Sequence, residues 1–126
     1  MKKKNVTIID YGMGNIRSIH NAFSYLGASV NITNRCEKIC KSEIVILPGV
    51  GSFAKAMKII KRNGIDTALK ETLNRGNFLF SICLGMQLLG TRSTEERLTN
   101  GLGIIKNKVD KFSQNETKKK RGATCW

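Results

Sequence analysis

The sequence predicts an α/β fold built on a doubly wound, mostly parallel sheet, and three observations predict it. Short aliphatic runs alternate along the chain with segments of helical periodicity. Several of those runs end in glycine-containing turns that lead directly into a helical stretch. Finally, 126 residues suit one domain, enough to bury a real core but short for a complete sheet of this kind.

The elements follow in order. Asn5-Val6-Thr7-Ile8-Ile9 reads as a strand, closed by Asp10-Tyr11-Gly12-Met13-Gly14-Asn15. Helical spacing of Ile16, Ile19, Phe23 and Leu26 then predicts a helix from Ile16 to Leu26. Ala28 to Thr33 and Glu43 to Leu47 are further strands, the second stopping at Pro48-Gly49-Val50-Gly51-Ser52-Phe53. Helices are predicted for Phe53 to Arg62 and Ile65 to Arg75, a strand for Asn77 to Phe80, a helix for Cys83 to Leu89 and a last strand for Ile104 to Phe112. Open α/β sheets bind ligands beyond the carboxyl ends of their strands, so the turns after the third and fourth strands form the candidate site.

Ser81-Ile82-Cys83-Leu84-Gly85-Met86-Gln87 carries the strongest chemical signal, because it places a cysteine at a strand-to-helix corner. Small flanking residues permit such a strained corner, which exposes the nucleophile and directs the next backbone N–H at a developing oxyanion. Cys83 is the candidate nucleophile and the Leu84 N–H a candidate oxyanion donor. In the turn at Pro48, the glycines Gly49 and Gly51 let the backbone come close to a substrate and present N–H groups to a carbonyl oxygen. Gly12 and Gly14 invite comparison with a dinucleotide fingerprint, but Arg17 stands where the third glycine belongs.

Together, the Asp10–Ser18, Leu47–Phe53 and Ile82–Leu89 segments resemble the glutaminase subunits of imidazole glycerol phosphate synthase, which belong to the class I, or triad, glutamine amidotransferases. The resemblance runs from about Val6 to about Phe112, with Ser93-Thr94-Glu95-Glu96 and Gly101 to Ile105 matching in order. It implies a flavodoxin-like sheet, incomplete at its C-terminal side. It also implies hydrolysis of glutamine to glutamate and ammonia through a thioester on Cys83, with ammonia passed to a cyclase subunit in a heterodimer that makes imidazole glycerol phosphate in histidine biosynthesis. By residue matches, Gly49, Val50 and Gly51 correspond to the glycine loop that binds glutamine and helps form the oxyanion hole, with Leu84, and Gln87 closes the cysteine signature. No cofactor and no metal are implied.

The chain departs from that pattern in three places. The family's catalytic histidine and glutamate follow a Pro-His-x-Gly-Trp-Asn stretch that is not in this sequence, and His20, the one histidine, is expected beside the solvent face of its helix. After Phe112 the family-like pattern gives way to a basic, apolar-poor run through Lys118-Lys119-Lys120-Arg121 to Trp126. The expected organisation is therefore the N-terminal part of an amidotransferase domain over residues 1–112 and an unstructured tail over 113–126, as a frameshift or early stop would produce. The third departure is Ser81, where the family usually has glycine; serine is small enough to keep the corner. A second reading follows: an impaired remnant, or a paralogue serving a surface-sugar pathway, that acts at most by binding a partner.

A net charge of +13 gives the chain a general pull on polyanions. The cations are spread along the sequence, however, and basic and aromatic residues do not interleave, which argues against a dedicated nucleic-acid function. Cys36 and Cys40 are spaced like metal ligands but have neither a second pair nor a nearby histidine. Asp10 interrupts the first apolar stretch, so neither a signal peptide nor a membrane span is expected, and a reducing cytoplasm suits a thiolate nucleophile.

Overall fold

The computed structural model describes residues 2–113. Four parallel strands form the main sheet: β1 (Asn5–Ile9), β2 (Ser29–Thr33), β3 (Ile44–Leu47) and β4 (Phe78–Ser81), in the order β2-β1-β3-β4. The helices are α1 (Ile16–Tyr25), α2 (Cys36–Cys40), α3 (Phe53–Arg62), α4 (Ile65–Asn74) and α5 (Leu84–Leu88). Strand order reverses between β1 and β3: the chain first steps outward to β2, then returns past β1 and continues on its other side. The ends of β1 and β3 therefore flank the switch point, where open sheets of this type leave a crevice.

The register assigns each strand residue to a face. Ile8 pairs with Ile32 and Ile46, which in turn pairs with Phe80, while Val6 shares a row with Val30, Ile44 and Phe78. On this face α1 packs Ile16, Ile19 and Phe23 against Val6, Ile8 and Ile46. The Phe23 and Phe80 rings form a T-shaped pair, with centroids 6.2 Å apart and planes at 77°. One helix covers only the centre of the sheet, so Phe78 and Phe80 on β4 remain 68% and 54% exposed. The opposite face carries the larger core, where Ile9, Val45 and Leu47 meet Ile39, Met57, Ile60, Ile65, Leu69 and Leu88. Each such side chain contributes about 1.5–3 kcal/mol when fully buried.

Local signals set the helix limits. Asn15 caps α1 by accepting from the Ser18 N–H at 3.3 Å, and Gly27 at φ +87° turns the chain out of that helix. Ser52 caps α3 in the same way through the Lys55 N–H at 3.2 Å, while Lys61 and Arg62 complement the dipole in its last turn.

Two parts differ from expectation. The run from Ile104 to Phe112 is not one strand: only β7 (Lys108–Val109) pairs, beside β5 (Arg92–Ser93), in a small sheet of order β6-β5-β7 that includes β6 (Thr99–Asn100). The reason is that the Ile104 and Ile105 amides both donate to the Leu89 carbonyl at 2.9 Å, which bends the chain off any ladder. Helix α2 was not expected; its five residues bury a single apolar side chain, Ile39, and are anchored when the Thr72 hydroxyl donates to the Ile39 carbonyl at 3.2 Å. The Cys36 and Cys40 thiols each donate to a backbone carbonyl, of Asn63 and Glu37. The expected tail, with Cys125, falls from 114 onward outside the described residues.

Candidate active site

Three loops converge at the carboxyl ends of β1, β3 and β4. The third begins with an elbow. After Ser81 the Ile82 N–H still donates to the Leu47 carbonyl at 3.0 Å, continuing the β3–β4 ladder by one step. At Cys83 the backbone turns to φ 56°, ψ −120°, and Cys83 is the sole non-glycine residue with positive φ among the described residues. The next amides close helical turns: Gly85 N–H donates to Ile82 at 2.9 Å, and Met86 and Gln87 N–H both donate to Cys83. The Cys83 side chain is consequently exposed at the head of α5, and Gln87 is half-buried one turn further on.

Helix α5 sits very close to β3. A Cβ on Gly85 would be driven into the Leu47 carbonyl oxygen, so only glycine lets this helix start where it does. Gly49 faces the same crowding: a Cβ there would lie 2.8 Å from the Gly85 nitrogen, 2.8 Å from the Tyr11 hydroxyl and 2.9 Å from Leu84 Cβ. Beyond it, Val50 is 62% exposed and Gly51 takes φ +117°. The sequence-predicted residues Gly49, Val50, Gly51, Cys83, Leu84 and Gln87 thus belong to two facing segments, joined where the Leu84 N–H donates to the Gly49 carbonyl at 3.2 Å. In this conformation the donor expected to face an oxyanion is already occupied.

Sequence reasoning missed Tyr11. Its ring is 6% exposed and its hydroxyl donates to the Pro48 carbonyl at 2.7 Å, tying the β1 loop to the β3 loop. Burial pushes the phenol well above its ordinary range, so it remains a donor at neutral pH. The available signal was a tyrosine at a strand end, whose hydroxyl needs a partner once buried. Its acceptor, 37 residues away, has no trace in the sequence pattern. The Gly12 turn in the same loop is fixed by the Asp10 carboxylate, which accepts from the Gly12 N–H at 3.2 Å.

Among the described residues no group hydrogen-bonds the Cys83 thiol. His20 lies half-buried on α1, on the other face of the sheet from α5. A cavity of about 430 Å³ opens elsewhere, beside β2 and α2, lined by Thr7, Asn31, Thr33, Glu37, Lys38 and Lys41, and takes no residue from the three loops.

This arrangement of exposed cysteine, glycine loop and switch-point crevice is accompanied by a family match: residues 8–124 match the CobB/CobQ-like glutamine amidotransferase domain. The chain belongs to the glutamine amidotransferase family. Its relatives include the imidazole glycerol phosphate synthase subunit HisH of Bacillus cereus, 42% identical over 130 residues, covering 96% of this chain and 62% of the relative. The corresponding subunits of Chlorobaculum tepidum and Bacillus cytotoxicus are 40% and 48% identical, covering 90% and 85% of this chain and 56% and 51% of those proteins. The amidotransferase chain thus spans between about half and three fifths of the length of these relatives. Among solved structures, a glutamine amidotransferase superposes with TM-score 0.70 at 22% identity, covering 83% of this chain and 55% of that one. A putative peptidase E from Listeria monocytogenes gives TM-score 0.67 at 16% identity, covering 81% and 63%. At these identities the two structures establish the fold of this amidotransferase chain.

Proposed function

We propose that this chain carries the nucleophile half of a glutaminase site, and that the observation carrying this reading is the strained, exposed Cys83 facing the Gly49–Gly51 loop across a single hydrogen bond. The Cys83 sulfur attacks the carboxamide carbon of glutamine, the C–N bond breaks, and the nitrogen leaves as ammonia after taking a proton. Water then hydrolyses the thioester, which returns the thiol and releases glutamate. Both steps pass through an oxyanion that needs backbone donors. Because the Leu84 N–H is engaged by the Gly49 carbonyl, the hole forms when the Gly49–Val50 peptide turns over. That turn withdraws the carbonyl from Leu84 and brings in the Val50 N–H, and flanking glycines at 49 and 51 make it sterically accessible. Gln87, on the first turn of α5, helps enclose the substrate.

Proton transfer requires a general acid–base group within hydrogen-bond reach of Cys83. In this reading it comes from the histidine and glutamate segment that the family resemblance places after a Pro-His-x-Gly-Trp-Asn stretch, outside this sequence. Ammonia passes to a cyclase subunit bound as a heterodimer in the cytoplasm, for imidazole glycerol phosphate formation in histidine biosynthesis. This assignment draws on the names of the HisH relatives. A second reading, a partner-binding remnant or a surface-sugar paralogue, is favoured by the lack of any hydrogen-bonding partner for the Cys83 thiol among the described residues. The deciding experiment is glutamine-dependent ammonia release by the purified chain with and without a cyclase subunit, against a Cys83→Ala control. Release that disappears in the variant supports the glutaminase reading; none above the variant from a folded chain supports the remnant.

A further inference from the structure

Tyr11 lies outside every role assigned above, yet it touches the loop on which the oxyanion hole depends. Its hydroxyl donates to the Pro48 carbonyl at 2.7 Å and sits where any side chain on Gly49 would have to go. A trans peptide is planar, with its C=O and the following N–H pointing in opposite directions. A donor fixed on the Pro48 carbonyl therefore fixes the whole Pro48–Gly49 peptide, including the direction of the Gly49 N–H. The next peptide is held differently, by the single 3.2 Å bond from the Leu84 N–H to the Gly49 carbonyl. One peptide is clamped by a buried side chain, and its neighbour is restrained by a long backbone bond.

We propose that Tyr11 is a positioning residue that clamps the Pro48–Gly49 peptide and so confines the rearrangement of the loop to the Gly49–Val50 peptide. The inference rests on the glutaminase reading for its purpose and on the hydrogen bonds for its mechanics. Without the clamp, rotation spreads over two adjacent peptides and the Val50 N–H no longer arrives at one place. Ring packing is not what performs this work: Tyr11 belongs to the core cluster with Leu47, Leu84 and Phe53, and phenylalanine would keep those contacts. The hydroxyl stays protonated through the neutral range because the phenol is buried.

The test is Tyr11→Phe in the full chain, read by amide hydrogen exchange at two positions. Leu84 N–H reports the Gly49 carbonyl, and Ile82 N–H, bonded to the Leu47 carbonyl at 3.0 Å, reports the adjoining ladder. Loss of one buried hydrogen bond predicts exchange at Leu84 faster by about five- to tenfold, with Ile82 changed by less than about twofold. Equal acceleration at both sites would mean general loosening and would overturn the clamp, as would no change at Leu84. A second measurement links the clamp to substrate: alkylation of Cys83 by a glutamine-shaped chloroketone, compared with iodoacetamide. Tyr11→Phe is expected to slow the first and leave the second unchanged; equal slowing of both overturns the positioning role. Wild-type protein with no preference for the chloroketone would refute the glutaminase reading, while the Leu84 exchange result still decides the clamp.

Discussion

Replacing Cys83 by glycine is expected to make this protein more stable, although it deletes the candidate nucleophile. The backbone at Cys83, φ 56° and ψ −120°, lies where a side chain crowds the neighbouring peptide groups. Residues held in such regions cost of order 1–3 kcal/mol each. Glycine removes that penalty but restores about 0.5–1 kcal/mol of freedom to the unfolded chain. Little burial is lost, because the Cys83 side chain is exposed. The balance is a gain of roughly 1 kcal/mol, best measured against Cys83→Ala, which deletes the thiol but keeps the Cβ and the strain. In urea, with a slope of about 1–3 kcal/mol per molar, the glycine variant should unfold about 0.5 M later than the alanine variant. A midpoint for glycine at or below that of alanine would refute the argument that the elbow stores strain.

Gly85→Ala should act in the opposite direction: its Cβ meets the Leu47 carbonyl oxygen, which is backbone and cannot swing aside, so a loss above about 3 kcal/mol is expected in the same denaturation assay. Tyr11 gives a pH signature. Its phenol is raised in the folded state, so the folded chain keeps a proton that the unfolded chain releases above about pH 10. The corresponding stability is complete below that pH and declines above it, by up to about 1.4 kcal/mol per pH unit, in the wild type and not in Tyr11→Phe. Urea unfolding at pH 8 and pH 11 checks this, and equal losses in the two proteins would refute it.

Much of the sheet was legible because strand and helix periods are written into consecutive residues. The helix from Phe53 to Arg62 has the expected bounds, since a serine cap begins it and two cations end it. Strands β1, β3 and β4 were equally plain as short apolar runs that end at turns. By contrast α2, with one buried apolar residue, gives no periodicity to read, and β5 and β6 are two-residue strands whose partners are chosen by the fold. In the candidate site, the strand-to-helix corner at Cys83 and the glycine turn after β3 were legible, and hydrogen-bond directions were not. Nothing in Pro48-Gly49-Val50 states that the Gly49 carbonyl would point at Leu84, because glycine permits either orientation of that peptide. Tyr11 was hidden for a related reason: its acceptor is a backbone carbonyl, which every residue possesses.

The three loops of the site hang from β1, β3 and β4, which are immediate neighbours in one parallel sheet. The pitch between such strands is nearly invariant, about 4.8 Å, so the sheet acts as a ruler whose graduations are the loop anchors. Cys83, the glycine turn and Tyr11 inherit their separations from that ruler, not from the stiffness of the loops themselves. On the proposed reading, changing the electrostatics of the site then calls for the rotation of the Gly49–Val50 peptide plane, because the ladder between the strands sets the other separations among these loop anchors in advance.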